Sequence, residues 1–375
     1  MQGIAPALQQ QRQATVGIIA NPVSARDIRR VVANANSLQL ADRVNILLRL
    51  LAALGSCGIG RVLLMPDREG LRLMLRRHLD RLHAAADEAT VLPQVAWLDM
   101  PVTGGVDDSF RAARMLREAG VAAIVVLGGD GTHRAVVREC GDLPIAGLST
   151  GTNNAYPEMR EATVCGLAVG LFAAGCIPDA LALQQNKRLE VGVNAGRDDA
   201  RHDIALVDVA ISSEHFIGAR ALWKADTLAA VYLAYAEPEA IGISSIGGLL
   251  EPVGRREPGG LAIALAIEGP TLLRAPIAPG LVRPVGVSGW HRMVDGAPCR
   301  VQQGSGVIAL DGEREIAFGA GDEITVTLRE RAFRSIDIAA CMRHAARAGL
   351  MRGPPPAPET ESASPTPRSF QRRQA

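Results

Sequence analysis

The chain has 375 residues, 48% of them hydrophobic, which is long for one domain and comfortable for two. Aromatic residues make up only 3%, so the core must be built from Ala, Leu, Val and Ile. The net charge of +1 gives no electrostatic reason to expect nucleic acid or an anionic membrane as a partner. Six scattered cysteines without a C-x-x-C pair indicate free thiols in a reducing compartment, so we expect a cytoplasmic protein.

The first half of the chain alternates strand-like and helix-like segments. It starts with residues 1–14, which are Gln-rich, lack the apolar stretch of a signal peptide and are predicted to be disordered. Short apolar runs and helical spacing then predict strands at 15–20, 61–65, 95–98, 121–127 and 145–148, and helices at 42–54, 69–86, 107–118 and 161–174. This alternation is typical of a Rossmann-like α/β domain with a parallel sheet, which we place at residues 15–178.

A glycine-rich turn, Gly128-Gly129-Asp130-Gly131-Thr132, follows the buried strand at 121–127. Glycine lets the backbone turn sharply and lets a ligand come close. A turn between a strand end and a helix N-terminus is a ready anion site, because unpaired N–H groups point outward. A carboxylate beside phosphates is costly unless it binds a metal or takes a proton, so Asp130 is the first candidate for chemistry. The alternative is a plain strand-turn-helix connection.

A second polar turn, Ser149-Thr150-Gly151-Thr152-Asn153-Asn154, follows the strand at 145–148. Parallel strands present their carboxyl ends on one side of the sheet, and ligands bind there. The two turns are therefore expected to face one crevice. The hydroxyls and amides at Ser149, Thr150, Thr152 and Asn153 suit phosphate and ribose groups, and Asn154 is a further candidate for nucleotide binding. Ordinary turn chemistry is the alternative for these residues.

The second half of the chain is rich in strand-like runs separated by Gly, Pro and Asp. It predicts a mainly antiparallel β domain at residues 179–332, interrupted by one helix at about 220–235. Helical patterning returns at 336–350, and we expect residues 333–352 to pack back on the first domain. Residues 353–375 are rich in Pro, Ser and Thr and are predicted to form a disordered tail. The predicted strands lie at 189–193, 204–211, 261–266, 285–287, 307–310, 315–318 and 323–328.

These motifs together resemble the ATP-NAD kinase family, within the superfamily that includes diacylglycerol and sphingosine kinases. The likeness is greatest to its AcoX-type members, which are named for acetoin-catabolism loci. It covers roughly residues 15–330, and several separate motifs occur in family order. The resemblance implies a two-domain NAD kinase-like architecture. The likeness to AcoX-type members rests first on Ile18-Ile19-Ala20-Asn21-Pro22-Val23-Ser24 with Asp27-Ile28-Arg29-Arg30. It rests also on the second turn and the Ala155-Tyr156-Pro157 segment that follows it.

The resemblance also implies roles for individual residues. Asp130 would activate the 2′-hydroxyl of NAD, and Asn21 and the two turns would bind nucleotide. Ser244-Ser245-Ile246-Gly247-Gly248 looks like the turn around the dinucleotide, with Ser244, Ser245 and Gly247 as contacts. Val207-Asp208 stands where NAD kinases usually carry Asn-Glu, so Asp208 keeps the acidic part.

The Asp-Gly turn at Asp311-Gly312-Glu313 resembles another family motif. Asp311 and Glu313 would be catalytic, with Asp311 also a ligand of Mg²⁺, because oxygen-rich carboxylate sites suit this ion. NAD kinases tend to carry Gln where this chain has Glu313, whereas the related lipid kinases carry Glu. A simple hairpin turn is the alternative for this segment.

The leading hypothesis is an ATP-dependent kinase, using Mg²⁺, that phosphorylates the 2′-hydroxyl of NAD or a related nucleotide. Its partner would be this small-molecule substrate, and by resemblance the protein would be a homo-oligomer. Glu313 favours a lipid or polyol kinase of the diacylglycerol kinase type instead, although no basic amphipathic segment supports membrane affinity. The altered Val207-Asp208 pair favours a third hypothesis, a nucleotide-binding regulatory protein without turnover.

Overall fold

A computed structural model describes residues 14–21, 39–84, 91–149, 155–213, 227–278, 280–312 and 314–352. Within these ranges the chain forms two β-sheets, a mixed one with helices on its faces and a wholly antiparallel one. Residues 1–13, 353–375, 150–154 and Glu313 lie outside the described residues. The predicted disorder at both termini and the predicted contacts of the second turn therefore stay predictions.

The N-terminal half folds into five parallel strands in the order β3-β2-β1-β4-β5. Strand β4 is buried at every position, as expected of a central parallel strand whose two faces are both covered by helices. The predicted α/β domain with a parallel sheet is confirmed. The strands are β1 Thr15–Ala20, β2 Arg61–Leu64, β3 Gln94–Trp97, β4 Ala123–Gly128 and β5 Ile145–Ser149, and the helices are α1 Leu40–Ser56, α2 Leu71–Ala84, α3 Asp107–Glu118, α4 Asp130–Glu139 and α5 Ala162–Ala173.

Strands from later in the chain extend this first sheet. After the short helix α6, Asp179–Ala182, strands β6 Leu183–Val193 and β7 Arg201–Ala205 add antiparallel neighbours. Strand β16, Ile324–Ile336, lies between β6 and β5. Strand β13, Pro298–Arg300, pairs with the N-terminal end of β16. Strands from both sides of residue 178, the predicted domain boundary, therefore share the first sheet. The predicted domain limits remain predictions.

The second sheet is antiparallel throughout, in the order β11-β12-β10-β9-β8-β14-β15. The predicted antiparallel β domain is confirmed as a fold class. Helix α7, Ser244–Leu250, packs on the face of this sheet that does not meet the first sheet. The strands are β8 Asp208–Ser212, β9 Leu228–Leu233, β10 Gly260–Leu265, β11 Thr271–Ala278, β12 Leu281–Met293, β14 Gly306–Leu310 and β15 Arg314–Phe318.

Two predicted elements are wrong. The helix predicted at about 220–235 is strand β9 over its described part, because Leu228–Leu233 pairs with β8 on one side and β10 on the other. The strand predicted at 204–211 is two strands, β7 and β8, in different sheets. The turn between them is fixed by Asp311, whose carboxylate accepts hydrogen bonds from the N–H groups of Leu206 and Val207.

The last helix, α8 Ile338–Ala348, begins directly after β16. The side chain of Asp337 caps it by accepting a hydrogen bond from Ala340 N at 2.9 Å. Ile338 and Cys341 are buried in the same cluster as Val169 of α5, so α8 covers the helical layer of the first sheet. No helix among the described residues is long and apolar enough to cross a membrane.

Candidate functional site

The strand order creates a switch point between β1 and β4. The chain leaves β1 towards β2 and leaves β4 towards β5, so the connections diverge, an arrangement that predicts a crevice at the two carboxyl ends. Ligands bind at such points in open α/β sheets. Asn21 follows β1 and reaches across: its N–H donates to Leu127 O at 3.2 Å and its side-chain amide to Thr132 Oγ1 at 3.4 Å.

The glycine turn forms the other wall of this crevice. Strand β4 ends at Gly128, Gly129 is the extended residue before the helix, and α4 begins at Asp130. A Cβ on Gly128 would lie 2.5 Å from Cβ of Thr132, so only glycine allows Thr132 to pack against the strand end. The N-terminus of α4 therefore opens onto the switch point, where backbone N–H groups and the helix dipole favour an anion.

Asp130 connects the two predicted turns. Its carboxylate is largely buried and accepts hydrogen bonds from Tyr156 N at 2.8 Å and Ala155 N at 3.0 Å. These residues directly follow Asn154, and Ser149 at the start of the second turn pairs with Gly128 in the β4–β5 register. The structure thus brings the first turn together with Ser149 and with Ala155 and Tyr156, the described residues on either side of the second turn.

His133, which no sequence motif marked as functional, is fully buried on α4. Its Nδ1 lies 2.9 Å from Gly129 O, and its Nε2 is buried without a hydrogen-bond partner. Burial lowers the pKa of His133 to about 4, so the ring is neutral at pH 7. A Cβ on Gly147 of β5 would lie 2.8 Å from Nε2. His133 therefore packs α4 against the sheet, and its place three residues after Asp130 is the only signal that the sequence offered.

Arg134, the next residue, was also missed. It is 4% exposed, and its Nε and one Nη atom are buried without a hydrogen-bond partner. It stands one helical turn after Asp130, on the same face of α4. Burial raises the pKa of Asp311, and the positive charge of Arg134 opposes that shift. A single helix therefore carries Asp130 and also the charge that acts on Asp311.

Asp311 anchors backbone in this structure. Its φ of 49° is left-handed, and its carboxylate accepts N–H groups of Leu206 at 3.0 Å, Val207 at 2.8 Å and Asp208 at 3.3 Å. Val207 is 1% exposed in the core between the sheets. Among the described residues no group of three or more His, Cys, Asp or Glu side chains could hold a metal ion. Both carboxylate oxygens of Asp311 accept backbone N–H groups and Glu313 lies outside the described residues, so the predicted Mg²⁺ ligand stays a prediction.

Comparison with known proteins identifies the family. The model of the ATP-NAD kinase N-terminal domain matches residues 16–175, and that of the acetoin catabolism protein X C-terminal domain matches residues 187–331. Acetoin catabolism protein X of Cupriavidus necator is 68% identical over 355 residues, covering 94% of this chain and 98% of that protein. The chain belongs to the acetoin catabolism protein X family. The predicted membership of the ATP-NAD kinase group, AcoX type, is confirmed.

Two solved structures are similar to this acetoin catabolism protein X family member at low identity. Yeast NADH kinase complexed with NADH is 14% identical, with a TM-score of 0.45, covering 92% of this chain and 90% of that one. A candidate diacylglycerol kinase from Bacillus anthracis is 11% identical, with a TM-score of 0.45, covering 86% and 97%. Likenesses at this level do not bear on function.

The Ser- and Gly-rich segment of this family member is a helix rather than the predicted turn. Ser244 and Ser245 are buried at the start of α7, and Ser245 Oγ donates to Gly242 O at 2.6 Å. A Cβ on Gly247 would lie 2.3 Å from a methyl carbon of Leu233, so this glycine lets the helix lie close to β9. The structure gives these residues packing roles, and their nucleotide contacts stay a prediction.

Proposed function

We propose that this protein transfers the terminal phosphoryl group of ATP to a hydroxyl of NAD or a related nucleotide, the 2′-hydroxyl by resemblance. The observation that carries this proposal is the position of Asp130. It is the first residue of α4, on the glycine turn, at the switch point between β1 and β4. Phosphoryl transfer depends mainly on positioning and electrostatic stabilisation, and a helix N-terminus beside an oriented carboxylate offers both.

In this mechanism the carboxylate of Asp130 takes the proton of the acceptor hydroxyl. The hydroxyl oxygen forms a bond to the γ-phosphorus, the bond to the bridging oxygen breaks, and ADP leaves. The hydrogen bonds from the N–H groups of Ala155 and Tyr156 orient this carboxylate. ATP usually carries Mg²⁺ on its own phosphates, and no step here is assigned to a protein-bound ion.

A specific observation favours a second candidate, a nucleotide-binding protein without turnover. Asp130 and Asp311, the two described residues predicted to be catalytic, both hold backbone N–H groups. In this candidate function the acids stabilise the crevice and the protein responds to nucleotide by binding alone.

The experiment is a screen for ADP release from ATP with NAD, NADH, nucleosides and diacylglycerol as acceptors, with products identified by mass spectrometry. The proposal expects a phosphorylated dinucleotide. Binding of ATP in calorimetry without any product would support the second candidate. Phosphorylated diacylglycerol would overturn both and assign the protein to the lipid kinases.

A further inference from the structure

Ala155 and Tyr156 form hydrogen bonds through both their backbone N–H groups and their backbone carbonyl oxygens. Their N–H groups donate to the carboxylate of Asp130. Their carbonyl oxygens face the other way: Ala155 O accepts from Tyr235 OH at 3.0 Å and from Arg255 Nη2 at 2.5 Å, and Tyr156 O accepts from Arg255 Nη1 at 2.8 Å. All four polar backbone groups of this pair thus have partners, and the partners come from two parts of the chain.

Arg255 lies in the connection between α7 and β10, so it belongs to the part of the chain that forms the second sheet. Its guanidinium lies 4.5 Å from the centroid of the Tyr235 ring, and its Nε donates to Glu237 Oε2 at 3.1 Å. Tyr235 is buried and follows β9. A planar guanidinium that is stacked on a ring and held by a carboxylate loses little freedom when it binds a second pair of acceptors.

The side chain of Tyr156 fixes the same segment on the first sheet. Its ring centroid lies 5.6 Å from that of His133 on α4 and 5.7 Å from that of Phe333 on β16. The segment can therefore shift only if the ring contacts, the bonds to the Asp130 carboxylate or the bonds to the two carbonyl oxygens give way. Of these, the bonds to the carbonyl oxygens link the segment to the second sheet, one from Tyr235 OH and two from the guanidinium of Arg255.

We propose that Arg255 is a positioning residue of the nucleotide site. By binding two successive carbonyl oxygens it sets the orientation of the Ala155 and Tyr156 peptide groups, and their N–H groups set the orientation of the Asp130 carboxylate. The second sheet thereby controls a group that lies in the first. This inference rests on the proposed function for its effect on rate, whereas the coupling itself is measurable without turnover.

The substitution Arg255→Lys tests the geometry, because lysine keeps the charge and loses the planar fork. Glu237→Gln is a matched control that removes the negative charge beside Arg255, while the amide oxygen can still accept from Nε and the carbonyl contacts remain. Arg292→Met is a second control: Arg292 Nε is paired with Glu251 at 2.6 Å in the same half of the chain. We expect faster amide hydrogen exchange at Ala155 and Tyr156 in Arg255→Lys and parental exchange in both controls.

A double-mutant cycle with Asp130→Asn then tests whether Arg255 acts through Asp130. We expect the loss in urea midpoint of the double variant to be smaller than the sum of the two single losses. Additive losses, or parental amide exchange in Arg255→Lys, would overturn the proposal. These readouts remain meaningful if the protein turns over no acceptor, so failure of the proposed function is distinguishable from failure of this inference.

With an active acceptor, Arg255→Lys should lower kcat on the order of 100-fold with little change in KM, because a small misplacement of a catalytic group is costly in rate. Glu237→Gln and Arg292→Met should keep the parental kcat. An equal loss in Glu237→Gln would show that charge, rather than the paired carbonyl contacts, is what matters, and would overturn the proposal.

Discussion

The Nδ1 atom of His133 lies 2.9 Å from the carbonyl oxygen of Gly129, the residue before helix α4. Burial lowers the pKa of His133 to about 4, whereas an unfolded histidine titrates near 6.5. Between these values the unfolded state binds more protons than the folded one, so stability rises with pH across this window. We expect the free energy of unfolding to fall by up to about 3 kcal/mol as the pH drops from 7 to 4.

His78 provides the control for this pH series. Its Nδ1 makes the same contact, 2.9 Å from Met74 O one helical turn before it, but the side chain is only partly buried. Urea unfolding of His78→Gln should keep the full pH dependence, and that of His133→Gln should lose most of it. An unchanged slope in His133→Gln would show that other groups produce the effect.

The glycine that faces His133 should resist substitution. A Cβ at Gly147 would lie 2.8 Å from His133 Nε2, and a ring packed in the core has little room to move. We expect Gly147→Ala to destabilise the fold by about 1–3 kcal/mol, the usual range for overpacking. Gly289→Ala is the matched strand control, because nothing lies within 4 Å of its added Cβ. Equal melting temperatures for the two variants would contradict the packing described here.

Asp130→Asn should lower turnover by about 10²–10⁴-fold, as expected for a lost general base, while ATP affinity changes little. The amide also replaces one of the two acceptor oxygens, so one N–H of Ala155 or Tyr156 loses its partner at a cost of about 1–3 kcal/mol. Asp107→Asn is the control, since Asp107 is likewise the first residue of its helix and is exposed. Near-parental activity in purified Asp130→Asn would remove Asp130 from the mechanism.

Asp311 and Arg134 should behave as a coupled pair. Asp311→Asn leaves a buried N–H of the segment Leu206–Asp208 without an acceptor, which costs about 1–3 kcal/mol, and removes a negative charge that interacts with Arg134. In the double variant with Arg134→Met, the total loss in unfolding free energy should be smaller than the sum of the single losses. Simple addition in urea titrations would show that the two charges do not act on each other.

Glu313→Gln separates the two enzyme hypotheses. Gln is what NAD kinases tend to carry at this place by resemblance, so a nucleotide kinase should tolerate it. A lipid-kinase-like enzyme would lose the charge that handles metal or protons, and its turnover should fall by orders of magnitude. Parallel assays with NAD and with diacylglycerol measure both outcomes.

The parts of the fold that the sequence predicted correctly are those fixed by local chemistry. Strand β4 is a continuous apolar run, and the glycines after it predict a sharp turn. Strand β9 was mistaken for part of a helix because Ala and Leu favour helices, whereas its partners β8 and β10 impose the extended form. Intrinsic propensity therefore predicts the secondary structure of a segment poorly where pairing with neighbouring strands determines its conformation.

The residues of the candidate site show the same contrast between local signals, which the sequence displays, and long-range contacts, which it does not. The switch point and Asp130 follow from two strand ends and a glycine turn, which are readable in order along the chain. Arg255 reaches Ala155 across a separation of 100 residues, and no periodicity or spacing indicates such a contact. For Asp311 the sequence shows the charge but not the three backbone N–H groups that the carboxylate accepts, because these lie more than 100 residues earlier in the chain.

The position of strand β16 limits where the chain can be divided into fragments that fold. It enters the first sheet from the far end of the chain, beside β5, and leads directly into α8, which covers Cys165 and Val169. A fragment that ended near residue 178 would keep all the glycine-turn residues, yet it would leave an open strand edge and an uncovered apolar helix, features that promote aggregation. Both halves therefore contribute to the first sheet and its helical layer, and recombination between relatives would have to exchange the N-terminal half together with the last two elements of the chain.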